Sequence, residues 1–252
     1  MLKELILTGL STLPSGVKKS IVNVGFNLER EHFQEMATRH LFAPDMRLGL
    51  QFLKSKGFNP ERILDIGAYE ANWSKMALAV WPNAKVTMIE ANPEKAPILR
   101  KELPEATLIE SLLGADERDV SFHIMESGSS VYEENSPLER RTTVSRQRPL
   151  DSFRLSPDLI KIDVQGYELE VLKGGVETLA KAQAVVVELS LLEINKGCPL
   201  LDEALSFMRS HRFVSYDIVE LHRRPLDGAM NQVDVLFVPE DSPLRADKRH
   251  YS

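Results

Sequence analysis

The sequence predicts an α/β protein built on a doubly wound, largely parallel sheet. From Arg62 onward, short apolar runs of strand length alternate with helical stretches, the pattern of strand–helix–strand units. The last two runs, FVSYDIV (213–219) and VDVLFV (233–238), have no helix between them, so at least one strand at the C-terminal end must run antiparallel. The size agrees. A chain of 252 residues allows one domain, or one with a cap, and buries roughly 70–75% of its unfolded surface without help from a disulfide or a metal.

Residues 1–57 read as helical. LEREHFQEMATRHL (28–41) mixes charges with Leu28, Phe33, Met36 and Leu41, and DMRLGLQFLKSKG (45–57) spaces Met46, Leu50 and Leu53 near the helical period, with Gly57 as its stop. These helices form an N-terminal extension (1–57) to a main domain at 58–240, and 241–252 is a loose tail. In the main domain RILDIG (62–67) is a buried strand, ANWSKMALAV (71–80) a helix and KVTMIE (85–90) a second strand. Asn92 then caps a helix with Pro93 at its first position. TLIESLL (107–113) is the third strand, DVSFHIM (119–125) alternates like a strand near an edge, and 126–142 is polar and irregular. LIKIDV (159–164) and AVVVELS (184–190) are further strands. YELEVLKGGVETLAKA (167–182) is a helix broken near Gly174-Gly175, and LLDEALSFMRSHR (200–212) is the last helix.

Composition removes several classes of function. Lys+Arg total 31 against 37 Asp+Glu, a net charge of −6, which argues against a general nucleic-acid binder. Cys198 is the only cysteine, so an intramolecular disulfide and Cys-rich metal sites are excluded, and the six histidines show no tight ligand spacing. No apolar run reaches the ~18–20 residues of a membrane span, and the N-terminus lacks a basic start. A soluble, cytoplasmic protein is expected.

The turn ILDIGAYEANWS (63–74) is the strongest local feature. In open α/β sheets the ligand sits beyond the carboxyl ends of the strands, where helix N-termini point. Asp65 ends the strand, Gly67 permits a tight turn and a close ligand, and Ala68 and Tyr69 follow. Glu90 ends the next strand 23 positions after Gly67, the place for an acid that bonds ribose hydroxyls. Ala91 and Asn92 continue that set, and Ser111 and Leu112 at the end of the third strand complete it. An acid at a strand end also serves plain solvation. A dinucleotide would want G-x-G-x-x-G, whereas here Gly67 is followed by Ala68, Tyr69, Glu70, Ala71 and Asn72, and Glu70 would repel a diphosphate. No G-x-x-x-x-G-K-[ST] loop is present. S-adenosylmethionine (SAM), with no phosphate and a positive sulfonium, fits the acids better.

DIGA (65–68), Glu90 followed by Asn92-Pro93, and above all LIKIDVQGYELEVLKGG (159–175), led in by Arg148-Pro149-Leu150-Asp151, resemble FkbM-type SAM-dependent methyltransferases over roughly 60–240. The resemblance implies a Rossmann-like class I methyltransferase fold: a seven-stranded, mostly parallel sheet with one antiparallel strand. It also implies SAM as cofactor and O-methylation of a hydroxyl on a small molecule or saccharide. The chain departs from the family at Tyr69, where the family has Asn, and at Ala71, where it has a second Gly.

Other residues carry chemistry by position. Asp163, at a strand's carboxyl end, could orient the SAM amine, accept the substrate proton, bind a metal, or simply cap the next helix. Glu168 sits in a first helical turn, where the dipole favours an acid, and Glu188 ends AVVVELS. His123 is the second candidate base. Ser129, Ser130 and Tyr132 follow it in a loop that could close the acceptor pocket. His222 lies beside Arg223 and Arg224. Arg140, Arg141, Arg146 and Arg148 could form a lid favouring an anionic acceptor, or merely a solvated run. Trp73 and Trp81 read as core. Rival readings are a metal-assisted transferase with Mg²⁺ on Asp163 and Glu188, a non-catalytic SAM-binding module, and RNA modification. The last is disfavoured by charge. No resident metal is assigned.

Overall fold

The computed structural model describes residues 13–29, 31, 44–125, 128–136 and 139–250. The chain divides into two compact units, Met1–Pro44 and Asp45–Ser252. In the first unit the described element is helix α1 (Ser15–Leu28), which leaves Val17, Ile21 and Val24 exposed. Most of the helix expected at 28–41 lies outside the described residues.

The second unit begins with α2 (Met46–Ser55). Asp45 caps it by accepting the Leu48 N–H at 2.9 Å. Met46, Leu50 and Leu53 fall on one face and are buried, and Gly57, at φ +89°, ends the helix as expected. Then follow β1 (Arg62–Ile66), α3 (Asn72–Val80), β2 (Lys85–Glu90), α4 (Ala96–Glu102), β3 (Thr107–Glu110), β4 (Leu112–Leu113), β5 (Arg118–Ile124) and β6 (Arg141–Arg148). The chain continues through β7 (Leu159–Ile162), α5 (Glu168–Lys173), α6 (Val176–Leu179), β8 (Ala184–Ser190), α7 (Leu201–Ser210), β9 (Phe213–Arg223) and β10 (Met230–Pro239).

Seven strands form the main sheet in the order β3-β2-β1-β7-β8-β10-β9. All pairings are parallel except those of β10 with β8 and β9, so β10 is the one antiparallel strand. The expected sheet is therefore present. Its central strands are buried on both faces. Leu64, Ile66, Ile160, Ile162, Val185, Val187, Val233 and Val235 face one core. The alternate positions Ile63, Leu159, Ala184, Val186, Leu236 and Val238 face the other, together with Leu50 and Leu53 of α2 and Trp81. Trp81 is core as expected, and its indole N–H donates to Phe58 O at 3.1 Å.

Three expectations are corrected. The third strand breaks at Ser111: Thr107–Glu110 joins the main sheet, whereas Leu112–Leu113 turns away into a second, three-stranded sheet ordered β4-β6-β5. Its middle strand, β6, falls within sequence read only as a basic segment, because RTTVSRQR has no apolar alternation and is mostly exposed. The helix expected at Asn92 begins instead at Ala96. Asn92 Oδ1 accepts the Glu94 N–H at 3.0 Å, closing a local turn before the helix rather than capping it. Among the described residues no helix is long and apolar enough to cross a membrane.

Candidate functional site

A cavity opens at the carboxyl ends of β1, β2 and β7. Gly67, Tyr69, Glu90, Ala91, Asn92, Ser111, Leu112, Ser130 and Asp163 all line it, joined by Phe122, Gln165 and Tyr167. The turn after β1 forms one wall. Gly67 takes φ +80°, and a Cβ there would stand 1.7 Å from the backbone oxygen of Asp163, so only glycine lets β1 and β7 approach this closely. The next turn is strained: Tyr69 at φ 49° and Ala71 at φ 63° both adopt left-handed backbone. These are the two positions where Asn and Gly were expected from the family resemblance, the residue types that accept this conformation most readily.

Glu90 forms the second wall. Its Oε2 accepts the Tyr69 N–H at 2.8 Å and its Oε1 accepts the Asn92 N–H at 2.7 Å, so one buried carboxylate ties the first turn to the second. Burial raises its pKa, and the backbone donors from Asn92, Tyr69 and Ala91 only partly offset this. Each carboxylate oxygen keeps a lone pair for a ligand hydroxyl. This bracing role was not foreseen from sequence.

Asp65 and Ala68 do not line the cavity. Asp65 is buried beneath the turn and accepts the Ser74 hydroxyl at 2.6 Å. Burial pushes its pKa up to about 6, against the hydrogen bond from Ser74 and the charge of Lys161. Ala68 packs in the core. Glu70 points away to Lys95 at 2.9 Å, so it does not oppose an anion in the cavity.

Beyond Asp163 the carboxyl edge is densely charged. Asp163 Oδ2 pairs with Lys161 Nζ at 3.1 Å, and its Oδ1 accepts from Gln165 at 2.8 Å. Lys161 also lies 3.3 Å from Asp234 Oδ1, and Asp234 Oδ2 meets His222 Nε2 at 2.8 Å. Glu188 accepts from Gln165 at 3.1 Å and from Gln232 at 2.6 Å. Burial works against the Lys161 charge, yet Asp163, Asp234 and Glu188 outweigh it and hold the lysine pKa above its ordinary value. Burial, reinforced by Asp163, pushes Glu188 well up. His222 is raised chiefly by its bond to Asp234. Glu168 accepts the N–H groups of Val164 (2.9 Å) and Gly166 (3.0 Å), and burial lifts its pKa to about 7.

Glu188, His222 and Asp234 come within 4.8 Å of one another through their ligand atoms, as do Asp163, Glu168 and Glu188. Lys161 already supplies a buried positive charge to this group, and we assign it no metal.

Sequence alternation carries the signal for this edge. Ile63-x-Asp65, Leu159-x-Lys161-x-Asp163, Val186-x-Glu188 and Asp234-x-Leu236 put every charge on the same sheet face as an apolar core residue.

Several expected site residues lie elsewhere. His123 alternates with Phe122 along β5; Phe122 faces the cavity, so His123 faces the other way and meets Thr142 Oγ1 at 2.9 Å. Tyr132 packs edge-on against Tyr167, with ring centroids 5.2 Å apart, and burial pushes its pKa up to about 12. Arg140 and Arg141 border a separate, shallow hollow that shares Asn92 with the cavity. Arg140 is ion-paired with Glu133 at 3.4 Å and Arg141 with Glu94 at 2.7 Å. Arg146 holds Glu117 and Asp119 on the small sheet, and Arg148 stacks over Phe153. The arginines therefore form no common lid.

A family model described as the methyltransferase FkbM domain matches residues 65–215. The 2-O-methyltransferase NoeI of Sinorhizobium fredii (strain NBRC 101917 / NGR234) is 27% identical over 177 residues, covering 61% of this chain and 73% of that protein. Two solved structures show looser likeness. The precorrin-6y C5,15-methyltransferase of Geobacter metallireducens GS-15 has a TM-score of 0.45 at 18% identity, covering 76% of this chain and 86% of that one. M. capricolum TrmK in complex with S-adenosyl-homocysteine has a TM-score of 0.47 at 10% identity, covering 77% and 67%. The family match spans more than half of the sequence: the chain belongs to the FkbM methyltransferase domain family, on the Rossmann-like class I methyltransferase fold.

Proposed function

We propose that this FkbM-family methyltransferase uses SAM as methyl donor and delivers the methyl group to a hydroxyl oxygen of a small molecule or saccharide. The observation that carries the donor assignment is the convergence of Gly67, Glu90, Ser111, Leu112 and Asp163 on one cavity. The missing side chain at Gly67 lets the ends of β1 and β7 close together beside this cavity. Glu90 would hold the ribose hydroxyls with its free lone pairs, and Asp163 would face the cationic end. The relative named a 2-O-methyltransferase supports oxygen as the acceptor atom.

SAM, held by Gly67, Glu90 and Asp163, would supply an electrophilic methyl for the hydroxyl oxygen, with S-adenosylhomocysteine and the hydroxyl proton as the leaving products. The protein chiefly aligns donor and acceptor. Asp163 is held below the ordinary carboxylate range: Lys161 and the hydrogen bond from Gln165 overcome the opposing effect of burial. It is therefore a weak base. His222, whose pKa Asp234 raises, lies outside the residues that line the cavity, so it is assigned no part in taking the proton. The ion-paired arginines give no support to an anionic acceptor. The transferase domain is proposed to span 58–240, with the 1–57 extension, the 241–252 tail and a cytoplasmic location as parts of the same reading.

The test offers trideuteromethyl-SAM with a set of saccharides and polyhydroxylated small molecules. The expected product is a trideuteromethyl ether, with release of S-adenosylhomocysteine (SAH). Label found on nitrogen or carbon would contradict the oxygen assignment.

A further inference from the structure

Resting on the SAM reading, we infer that Lys161 is a positioning residue of the donor site: its buried ammonium fixes Asp163 as the ionised carboxylate on the cavity wall. Lys161 is 4% exposed and follows Leu159 on the core-facing side of β7, where an apolar side chain would pack without any electrostatic need. Burying an ammonium costs several kcal/mol unless it is closely paired. Here acids face it from three strands and from the end of its own. Asp65 stands opposite in register on β1, Asp163 follows just beyond the end of β7, Glu188 lies on β8 two residues before its end, and Asp234 lies on β10 in register with Glu188. Glu168 from α5 and His222 from β9 stand behind them.

Asp163, Glu168 and Glu188 converge within 4.8 Å, a spacing at which one partly buried and two buried carboxylates do not all ionise freely. The 3.1 Å pair with Lys161 selects Asp163 to carry the charge. Asp163 is the member that lines the cavity, its side chain about one-third exposed, whereas Glu168 and Glu188 are buried. The lysine thus decides which acid meets a cationic donor. Gln165, on the other oxygen at 2.8 Å, keeps the carboxylate from rotating.

The experiment is calorimetry of SAH and SAM on the wild type and on Lys161→Met, from about pH 6 to about pH 8, read as the ratio of variant to wild-type affinity. Without its cation, Asp163 sits among acids and holds its charge less firmly as pH falls. The variant should bind about tenfold more weakly at the acid end, the tenfold that one pKa unit represents, and the gap should narrow as pH rises. A folded Lys161→Met protein that matches the wild type at every pH would overturn the assignment. Should that variant not fold, Asp163→Asn is near-isosteric at a partly exposed position, and it should bind SAH about tenfold more weakly across the range. Wild-type binding by that variant would equally overturn it. A wild type that binds neither ligand would instead sink the SAM reading.

Discussion

The two halves of the carboxyl edge are built differently. Around β1 and β2 the cavity wall is backbone, held by a single acid: Glu90 accepts two amides, and Gly67 must lack a side chain. Across β7, β8, β10 and β9 the edge is side chains, with Lys161, Asp163, Glu188, Asp234 and His222 linked pair by pair. The first half holds its shape through hydrogen bonds that one carboxylate accepts from the backbone of two turns. The second depends on buried charges drawn from four strands, so it answers to pH.

The largest effect should come from breaking the backbone half. Glu90→Ala strands two amide donors, one buried and one partly buried, each worth about 1–3 kcal/mol. We expect a loss of about 2–5 kcal/mol in urea unfolding and a 10- to 100-fold loss of SAH affinity. Intact stability with lost affinity would reduce Glu90 to a ligand contact alone.

The charged half is sharpened by Glu168→Gln. Burial raises the Glu168 pKa from its ordinary 4.5 to about 7, so the folded chain holds a proton that the unfolded chain has released. Its contribution is fully present below pH 4.5 and is lost as pH rises through about 7. Gln keeps an acceptor for the Val164 and Gly166 amides, so the variant should gain up to about 3 kcal/mol over wild type near pH 8 and little near pH 4. Equal stability curves against pH would show that Glu168 is not held neutral.

The smallest effect tests the strain in the first turn. Ala71→Gly relieves a left-handed alanine and should stabilise by about 1 kcal/mol, less whatever packing its buried methyl supplies. A clear destabilisation would mean that packing outweighs the backbone strain.

The same contrast explains what was legible in the sequence. Gly67, Glu90 and Asp163 were readable because a strand end, a turn glycine and a following acid lie within short stretches whose spacing alone places them. Alternating apolar runs likewise disclosed the main sheet. The charged edge was not readable as a unit: bringing Lys161 between Asp163 and Asp234 requires knowing that β10 inserts between β8 and β9. Strand β6 was missed because its Arg, Thr and Gln face solvent on a small sheet and carry no hydrophobic period. His123 misled because a titratable residue in an alternating strand has two possible faces, and only the position of Phe122 tells which one meets the cavity.

The central claim is that the cavity at the ends of β1, β2 and β7 holds an S-adenosyl donor. Isothermal calorimetry of the full chain with SAH tests it most directly. The account predicts one site per chain, comparable binding of SAM, and far weaker binding of NAD and ATP, for which the turn after β1 offers no phosphate cradle. No heat from either S-adenosyl ligand with folded protein, or tighter binding of a nucleotide phosphate, would contradict it.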